Sequence, residues 1–444
     1  MSDSIFDKSF VEPIDKAILK ILRLDENRWI CEGISINLGE IPILSDADPD
    51  ASILETTTDQ LRTIDRGSLC IHISMMSGLR HLCPYCGSLA SIKQYVTHDY
   101  ATSSFSGMAA WVRIRVPQIF CRSCRKYPTV RCPLVVFNHS YTKLLKLDAL
   151  SMLSQETVSA TSSGCGIGEG IVFDILGETV ENGLKTQDLS QVETLFLDEI
   201  QSTHGHNYIT MVADQNHRMI AGVKGHDIAS VEKVRDWIID KRGDPTNIRY
   251  VSADMSVAYK SGVAQYFPNA KIIIDHFHLV KLVNESLDDV RKRTNRALQK
   301  AEMEYPKYVK YTVLHRESNH SETHKKRMEE VRMLNPDLAL AFDLKEEFCR
   351  IFEKEDKNAA RSAFFSWYNH VRGSHIPEMI DVSIRMMKRL NEILRWFSHR
   401  ISNAVAEGLN NTYKKIKSAA FGFRNIQNYI DMCLFRKGRL KVSI

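Results

Sequence analysis

Four of the ten cysteines in this 444-residue chain form two matched pairs with the spacing of metal ligands. Cys83 and Cys86 belong to CPYCGS, and Cys121 and Cys124 belong to CRSCRK. A C-x2-C turn brings two thiolates towards one ion, and two such turns complete a tetrahedral structural zinc site. The 34 residues between the pairs suit a zinc ribbon, in which strands separate the turns. Four unrelated thiols are the competing interpretation.

The other cysteines lack this spacing. Cys132 and His139 are candidates to replace one of the four paired cysteines as a zinc ligand. The remaining cysteines are expected to be buried small apolar residues. The first residues of the chain lack a basic stretch followed by an apolar run, so we expect no secretory signal. A reducing cytoplasmic location follows, in which disulfides are rare.

Basic residues gather around the cysteine pairs. Between Cys83 and Arg131 the only acid is Asp99. The basic residues of this stretch are Lys93, Arg113, Arg115, Arg122, Arg125, Lys126 and Arg131. A compact basic module favours contact with phosphates. We expect DNA contact from Arg113, Arg115, Arg122, Arg125 and Lys126, with a solvated face that keeps a small domain soluble as the alternative.

Two aspartates each follow an apolar strand pattern and could hold a divalent ion. Asp198 follows VETLFL, and Asp254 follows NIRYVSA, 56 positions later. If the two strands are neighbours, the carboxylates approach each other and repel unless a cation lies between them. Such ligands suit Mg²⁺ or Mn²⁺, and two ions could support in-line phosphoryl transfer. Glu407, among small and polar residues, is the best candidate for a third acid.

Other residues compete for a role in that site. A single aspartate at a strand end is often a cap or turn residue, and Glu199, Asp214 and Asp275 are further acids of this region. His276 and His278 close the fifth predicted strand. We expect them to be hydrogen-bonded residues of a strand-to-helix turn, and direct catalysis is the alternative.

The elements that must position these acids begin near residue 191. Five predicted strands share apolar runs bounded by turn residues: 192–200, 206–214, 218–225, 247–254 and 270–279. Helical patterns precede the fourth and the fifth strand. This order is that of a ribonuclease-H-like core, in which the first and fourth strands lie side by side. From about 280 to 400 the pattern is almost wholly helical and charge-rich.

The N-terminal part has a different pattern. Residues 1–75 combine one helical run with two strand-like runs and an acidic, turn-rich stretch near 45–60. Residues 111–120 alternate like a strand that leads into the second cysteine pair. Residues 141–187 predict helix, helix, break, helix, which is the order of a helix-turn-helix. The last of these helices carries acids that disfavour phosphates, so a helical linker is the alternative.

Four stretches together resemble the insertion-sequence L-three family of bacterial DDE transposases. The first is CPYCGS with CRSCRK, and the second is FLDEI at Asp198. The third is SADMSVAYKSGVAQYFPNAKIIIDHFHLVKLVN at Asp254, and the fourth is ISNAVAEGLNNTYKKIKSAAFGFRN at Glu407. The similarity runs from about residue 25 to the C-terminus, and the last two motifs are long and specific.

The resemblance implies a multidomain α/β protein with an N-terminal zinc ribbon and helix-turn-helix, and a ribonuclease-H-like catalytic core interrupted by an α-helical insertion. It implies that Asp198, Asp254 and Glu407 hold the metal ions, and that the N-terminal modules recognise terminal inverted repeats. The expected segments are an α/β lead-in (1–75), the zinc ribbon (76–140), the helix-turn-helix-like segment (141–190), the first part of the core (191–294), the insertion (295–395) and the last part of the core with a basic C-terminus (396–444).

The C-terminal stretch adds a second basic region. From Gly408 onward the only acid is Asp431. The basic residues there are Lys414, Lys415, Lys417, Arg424, Arg436, Lys437, Arg439 and Lys441. We expect phosphate contact beside the metal site from Lys414, Lys415, Lys417 and Arg424, with a solvated basic tail as the alternative.

The overall composition is that of a globular protein, with 43% hydrophobic and 25% charged residues. It excludes a collagen-like fibre and a disulfide-dense mini-protein, and no apolar run approaches the roughly 18 residues of a membrane span. The net charge of +5 arises from 59 basic and 54 acidic residues, so only their local distribution points to nucleic acid.

We therefore expect a DNA transposase with two Mg²⁺ or Mn²⁺ ions at its catalytic site and one structural Zn²⁺. Its expected partners are double-stranded DNA, as element ends and target, and a second copy of the chain in a synaptic homodimer. We expect it in the cytoplasm, associated with the nucleoid when bound to DNA, and not at a membrane. A zinc-dependent DNA-binding regulator without catalysis and a metal-dependent nuclease without strand transfer are the competing classes.

Overall fold

The computed structural model describes residues 13–39, 65–105, 107–201, 208–253, 256–274, 276–301, 309–399, 404–420 and 422–443. These residues form two compact units. The first unit contains the described residues up to Lys185, together with 419–420 and 440–443. The second contains the described residues of Thr186–Ser418 and Gly422–Arg439. None of the helices in these ranges combines the length and the apolar character that a membrane span requires.

A five-stranded sheet is the framework of the first unit. Its elements in chain order are α1 Ile14–Ile21, β1 Trp29–Asn37, β2 Ser68–Met75, β3 His81–Leu82, β4 Leu89–Phe105 and β5 Met108–Phe120. The strands lie in the order β1-β2-β5-β4-β3. Strands β2 and β5 are parallel, and the other neighbours are antiparallel. Strands from the segments 1–75 and 76–140 thus share one sheet.

Strand β5 has one buried and one exposed face. Val112 and Ile114 are buried in a cluster that includes Ile18 of α1. Arg113 and Arg115 alternate with them and are exposed, because successive side chains of a strand point to opposite faces. The apolar half of the alternating sequence therefore secures the strand, and the basic half lines the open face of the sheet.

Three helices complete the first unit, in the pattern expected for residues 141–187. They are α2 Lys143–Leu153, α3 Val158–Cys165 and α4 Glu169–Lys185. Threonine hydroxyls cap the first two: Thr142 accepts from the backbone N–H of Leu145, and Thr157 accepts from that of Ala160. Helix α3 ends at Gly166, whose φ of 65° is left-handed.

A second five-stranded sheet organises the other unit. Its strands are β6 Thr194–Gln201, β7 Tyr208–Asp214, β8 Met219–Lys224, β9 Tyr250–Ala253 and β10 Lys271–Ile274. They lie in the order β10-β9-β6-β7-β8, and β6 to β8 are antiparallel neighbours. Strand β9 is parallel to β6 and to β10. The expectation that the first and fourth strands of this region are neighbours is confirmed.

Helices α5 (Ile228–Asp240) and α6 (Val257–Tyr266) make the two crossovers that parallel strands require. Leu195 and Leu197 of β6 belong to a large buried cluster that also contains Val231 of α5 and Val263 of α6. Since side chains alternate along a strand, Asp198 of β6 lies on the opposite face of the sheet.

A run of helices follows the sheet. They are α7 His276–Lys300, α8 Val309–Leu314, α9 Glu322–Leu334, α10 Pro336–Ile351, α11 Lys357–Gly373, α12 Pro377–Met387 and α13 Leu390–His399. Helix α13 returns to the sheet, because Arg395 Nη1 donates to the carbonyl oxygen of Ile272 at 3.0 Å. Glu392, also in α13, accepts from Lys260 Nζ of α6 at 2.7 Å.

The fifth strand is shorter than the sequence pattern predicts. Strand β10 ends at Ile274, and His276 and His278 lie in α7 instead of closing a strand that reaches residue 279. The reason is helical spacing: Leu279 and Val283, one helical turn apart, are both fully buried in the core cluster. The two histidines therefore occupy the first turn of a long helix.

Two helices close the second unit: α14 Ala404–Ala419 and α15 Ile426–Lys437. Helix α15 packs closely on β8, since a Cβ at Gly222 would lie 2.8 Å from Cγ2 of Ile430. Tyr429 of α15 donates its hydroxyl hydrogen to the carbonyl oxygen of Tyr413 in α14 at 2.9 Å. Helix α14 is thereby fixed to α15, which lies against the sheet.

Candidate functional site

Each cysteine pair is held by its own short turn. The N–H of Gly87 donates to Cys83 O at 2.9 Å, and the N–H of Arg125 donates to Cys121 O at 2.8 Å. Gly87 and Arg125 occupy equivalent positions, one residue after the second cysteine of each pair, and both are left-handed, with φ of 72° and 57°. The two turns thus have the same backbone conformation, although the left-handed residue is a glycine in only one of them.

The four cysteines converge on one point at the end of the ribbon. Their Sγ atoms all lie within 4.8 Å of one another, with Cys83–Cys124 at 3.5 Å and Cys86–Cys121 at 3.4 Å. Zinc–sulfur bonds of about 2.3 Å in a tetrahedron require sulfurs about 3.8 Å apart. The cluster therefore fits one zinc ion.

The two candidate replacement ligands lie elsewhere. Cys132 is buried, which raises the pKa of its thiol to about 12, and it is not part of the four-cysteine group. His139 Nε2 is 2.9 Å from Glu178 Oε1. These contacts exclude both residues from the zinc cluster in this structure and leave the paired cysteines as the ligand set.

The surroundings of the sulfurs differ. Hydrogen bonds from the backbone and then the side chain of Ser88 lower the pKa of the Cys86 thiol to about 6. Burial, the largest influence on Cys124, raises the pKa of that thiol to about 12. The hydrogen bonds at Cys86 thus favour its thiolate, whereas burial at Cys124 disfavours the charged form.

The predicted DNA-binding residues of the ribbon fall into two groups. Arg113 donates from Nε and Nη2 to the two carboxylate oxygens of Asp99, both at 2.8 Å, and this pairing raises the arginine's pKa. Arg115 lies over the ring of Tyr95 at 4.7 Å, and Lys126 Nζ lies 4.1 Å from the ring centre of Tyr85.

Arg122 and Arg125 are exposed. Neither side chain is in an ion pair with a residue of the described ranges. The charges of these two arginines are therefore free for a phosphate, whereas Arg113 is already neutralised by the lone acid of the module.

Helix α4 carries acids on its surface. Glu169 and Asp174 are exposed, whereas Glu178 is balanced by His139 and, at 3.2 Å, by Lys146 Nζ. A face with uncompensated carboxylates repels phosphates. The exposed face of α4 that carries Glu169 and Asp174 is therefore unfavourable for contact with phosphates.

Asp198 lies in the middle of the second sheet, on its central strand β6. Its carboxylate is 18% exposed, and Oδ1 is 3.8 Å from Nε2 of His278, in the first turn of α7. Across the sheet, Asp198 is opposite Met211 of β7, which is opposite Gly222 of β8. Because Gly222 contacts α15, this row of residues lies on the face covered by the two C-terminal helices.

Asp254 and Glu407 are the two acids expected to hold a metal ion together with Asp198. Asp254 lies outside the described residues, and it directly follows Ala253, the last residue of β9. Glu407 belongs to helix α14, and its side chain lies outside the described part of the chain.

The basic residues expected to contact phosphates in the C-terminal region have two kinds of surroundings. Lys414, Lys415 and Arg424 are exposed. Lys417 Nζ donates to the backbone oxygen of Gln201, the last residue of β6. Lys417 therefore fastens α14 to the strand that carries Asp198, a role that the basic sequence pattern did not reveal.

One competing acid has a clear structural role. Asp214 is fully buried, accepts from the backbone N–H groups of Asn216 and Arg218, and pairs with the Arg218 side chain. It fixes the turn between β7 and β8, as the turn interpretation predicts. Asp275 lies outside the described residues. His276 packs against the rings of Phe352 and Trp396, at 5.4 and 5.7 Å.

Comparison with known proteins gives consistent matches. A family model of DDE transposases of the ISL3 type, described as "Transposase", matches residues 195–433. A second model, described as the zinc-finger of the transposases IS204, IS1001, IS1096 and IS1165, matches residues 79–124. The transposase for insertion sequence element IS1001 of Bordetella parapertussis is 25% identical over 320 residues, which are 71% of this chain and 78% of that protein.

Among solved structures, a chain of the Drosophila P element transposase strand transfer complex aligns with a TM-score of 0.37 and 10% identity. The alignment covers 66% of this chain and 92% of that chain.

The zinc-finger match spans both cysteine pairs, so the first unit carries a zinc ribbon of the transposase class. The larger match covers more than half of the chain and contains all five strands of the second sheet apart from the first residue of β6. The chain belongs to the ISL3 family of DDE transposases. The resemblance of its motifs to this family is confirmed.

Proposed function

We propose that this transposase cuts DNA at the terminal inverted repeats of an insertion sequence and joins the exposed 3′-hydroxyls to target DNA, with Mg²⁺ as its metal. The observation that carries the proposal is the register of the second sheet. In the parallel pair β6 and β9, Phe196 is paired with Ser252. Asp198 follows Phe196 by two residues, and Asp254 follows Ser252 by two residues.

This register supports a shared metal site. Neighbouring strands lie about 4.8 Å apart, so two acids at matching positions can bind the same ion, and they repel each other without one. Glu407 of α14 is the third proposed ligand, since Tyr429 and Lys417 fix that helix over the face of the sheet that carries Asp198.

The chain's own residues prepare this site for DNA. Asp198 is only partly exposed, so its charge is held in an environment that favours a bound cation over bulk water. The chemistry that two divalent ions supply is activation of a water or a 3′-hydroxyl and stabilisation of the leaving oxygen. Lys414, Lys415 and Arg424, exposed on or beside α14, would hold the phosphates on either side of the scissile bond.

The topology supports a ribonuclease-H-like core as the scaffold. Three antiparallel strands are followed by two parallel strands reached through helices, with β6 in the centre. We propose that residues 191–294 and 396–444 form this core and that 295–395 is an α-helical insertion. Glu392 and Arg395, among the last residues of the proposed insertion, bond to Lys260 of α6 and to the carbonyl oxygen of Ile272 in β10. These contacts support an end of the insertion close to this boundary, because they attach α13 to elements of the core.

The zinc ribbon, residues 76–140, is the proposed reader of the element ends, together with the lead-in 1–75 and the helical segment 141–190. The exposed charges of Arg122 and Arg125 support phosphate contact at the ribbon tip. The acidic surface of α4 disfavours that helix as the element that enters a groove. Transposition requires two ends in one complex, so we propose that two copies of the chain act together.

Strand transfer with pre-cut ends tests the proposal. We expect Asp198→Asn, Asp254→Asn and Glu407→Gln each to lower joining by at least about 1,000-fold, in line with removal of a metal ligand, while binding to the inverted repeat changes little. Asp236→Asn is the matched control, since Asp236 is exposed and only pairs with its neighbour Arg235. Normal joining by Asp198→Asn would refute the metal site. A wild-type protein that binds ends but never cleaves would identify a regulator instead.

A further inference from the structure

Two buried tyrosines of the C-terminal helices differ in one respect. Tyr413 of α14 and Tyr429 of α15 are each 2% exposed. The hydroxyl of Tyr429 donates to the carbonyl oxygen of Tyr413. The hydroxyl of Tyr413 is also shielded from solvent, but it has no hydrogen-bond partner among the described residues. Buried polar groups are nearly always hydrogen-bonded, because an unpaired one loses its bonds to water without replacement.

The unpaired hydroxyl lies in the region of Asp198. The row Asp198–Met211–Gly222 runs across the sheet, and Gly222 is in contact with Ile430 of α15. Tyr429, next to Ile430, is bonded to Tyr413. Helix α14 is held to β6 a second time, through Lys417 and Gln201.

The charge distribution agrees with this proximity. Burial is the main cause that raises the pKa of Tyr413, and electrostatic interactions with Cys433 and Asp198 raise it further. The Asp198 carboxylate is thus close enough for its charge to act on the tyrosine. Cys433 is itself fully buried, and its thiol is a poor acceptor for the hydroxyl.

We propose that Tyr413 is a positioning residue of the metal site: its hydroxyl donates to an ordered water that in turn holds the carboxylate of Asp198 on the metal. This inference rests on the proposed function. A buried water needs two to four polar partners, and the hydroxyl and the carboxylate would supply two of them. Partners behind the direct ligands orient those ligands, and their loss weakens metal binding by about 10- to 100-fold.

The substitution Tyr413→Phe tests this role, with Tyr429→Phe as its matched control. Both remove one hydroxyl from a buried ring in neighbouring helices. Calorimetry of the zinc-containing protein without added Mg²⁺ gives the melting temperature of the second unit, and electron paramagnetic resonance titration gives its affinity for Mn²⁺. The Asp198→Asn variant, which lacks a proposed metal ligand, gives the background signal of Mn²⁺ that binds at other sites on the protein.

The two variants should differ in both measurements. We expect Tyr413→Phe to melt near the wild-type temperature, because the hydroxyl has no protein partner among the described residues, and to bind Mn²⁺ about 10-fold more weakly. We expect Tyr429→Phe to melt at a temperature several degrees lower, because it removes a buried hydrogen bond that joins α15 to α14. Its Mn²⁺ affinity should remain within about twofold of wild type, since no metal partner is lost.

The outcomes separate the inference from the function on which it rests. If Tyr413→Phe binds Mn²⁺ as wild type does while Asp198→Asn does not, the role of Tyr413 is refuted and the metal site stands. If Asp198→Asn also binds Mn²⁺ and joins DNA normally, the proposed function fails. A Tyr413→Phe protein that melts several degrees earlier and keeps the wild-type Mn²⁺ affinity would also refute the role, because the hydroxyl would then support the fold and not the metal site.

Discussion

The zinc site of the first unit is built from two short turns, whereas the proposed carboxylate site of the second unit draws on chain positions from 198 to 407. Each cysteine turn closes its own backbone hydrogen bond, Gly87 to Cys83 and Arg125 to Cys121. Asp198 instead depends on the pairing of β6 with β9 and on the packing of α14 and α15. One site is determined locally, and the other is determined by the fold of the whole unit.

This difference has a consequence for stability. A local site needs its metal, because two turns that each supply two sulfurs have little else to hold them together. A site on a buried sheet can persist without its ion, since the strands beneath it are secured by a large apolar cluster. Loss of metal should therefore unfold the first site and only silence the second.

Zinc removal gives the largest predicted effect. We expect Cys121→Ser to lower the zinc content from about one ion per chain to near zero and to abolish the thermal transition of the first unit, because structural zinc supplies about 10 kcal/mol or more in small domains. Zinc analysis and calorimetry measure both quantities. The second unit should keep its transition.

Cys132→Ser is the matched control, since Cys132 is buried but lies outside the four-sulfur cluster. It should keep its zinc. Loss of both thermal transitions in Cys121→Ser would contradict the independence of the two sites, and so would full zinc content in that variant.

The sequence alone was sufficient to predict the zinc site, and it predicted part of the arrangement around the proposed carboxylate site. The C-x2-C spacing identified all four ligands, and the order of apolar runs predicted that the strands before Asp198 and Asp254 are neighbours. Spacing could not reveal that Arg113 pairs with Asp99, because this depends on the register of β4 against β5. Nor could it show that His278 lies in a helix beside Asp198, since an apolar run leaves the end of a strand undefined.

The second prediction concerns salt dependence of DNA binding. Removing Arg122, an exposed charge without an ion-pair partner in the described ranges, should reduce the slope of log affinity against log salt by about 0.9. The double substitution Asp99→Asn with Arg113→Gln removes an arginine without changing the net charge, because these two residues already neutralise each other. It should leave the slope unchanged.

Titrations of an inverted-repeat duplex at several salt concentrations provide the test. Equal slopes for Arg122→Gln and the double variant would show that pairing with Asp99 does not decide which arginine contacts phosphate. The proposal that the arginines without an ion-pair partner contact the phosphates would then be wrong, whereas the description of the zinc site would be unaffected.

Substitutions at the left-handed residues of the two cysteine turns should change the stability of the first unit by smaller amounts and in opposite directions. Gly87→Ala forces a side chain into the left-handed region, which costs about 1–2 kcal/mol, although the space around Gly87 is open. Arg125→Gly relieves the same conformational cost in the second turn and should raise the stability of the first unit by up to about 1 kcal/mol, while it removes a proposed DNA contact.

Chemical denaturation of the zinc-loaded protein measures these changes. Gly170→Ala is the control, because Gly170 is also in open space but has no positive φ and lies inside α4, where alanine is the better helix former. A similar loss in Gly170→Ala and Gly87→Ala would mean that the left-handed turn is not the cause. Tighter DNA binding by Arg125→Gly would contradict the proposed role of that arginine.

The smallest effect belongs to a long-range ion pair of the second unit. Lys260 of α6 and Glu392 of α13 are 132 positions apart and pair at 2.7 Å. The glutamate is 11% exposed and the lysine 48% exposed, so Lys260→Met should lower the free energy of unfolding by about 1 kcal/mol, as for a partly screened pair. Because α13 precedes the helix of Glu407, strand transfer should fall more than this loss of stability explains.

The dependence on pH has a definite sign. Burial, the largest single influence, acts to raise the pKa of Glu392, but the hydrogen bond and charge of Lys260, a backbone hydrogen bond and the charge of Arg389 together outweigh it, and the net pKa lies below the ordinary value of 4.5. As pH falls, the unfolded chain takes up this proton first, so the contribution of the pair is complete above about pH 4.5 and is lost as pH falls through the lowered pKa. The stability difference between wild type and Lys260→Met should thus be constant from about pH 6 to 8 and shrink below pH 4.5. With Glu392→Gln as the background the difference should not vary with pH, and an undiminished difference at low pH would show that Lys260 acts through its packing and not through its charge.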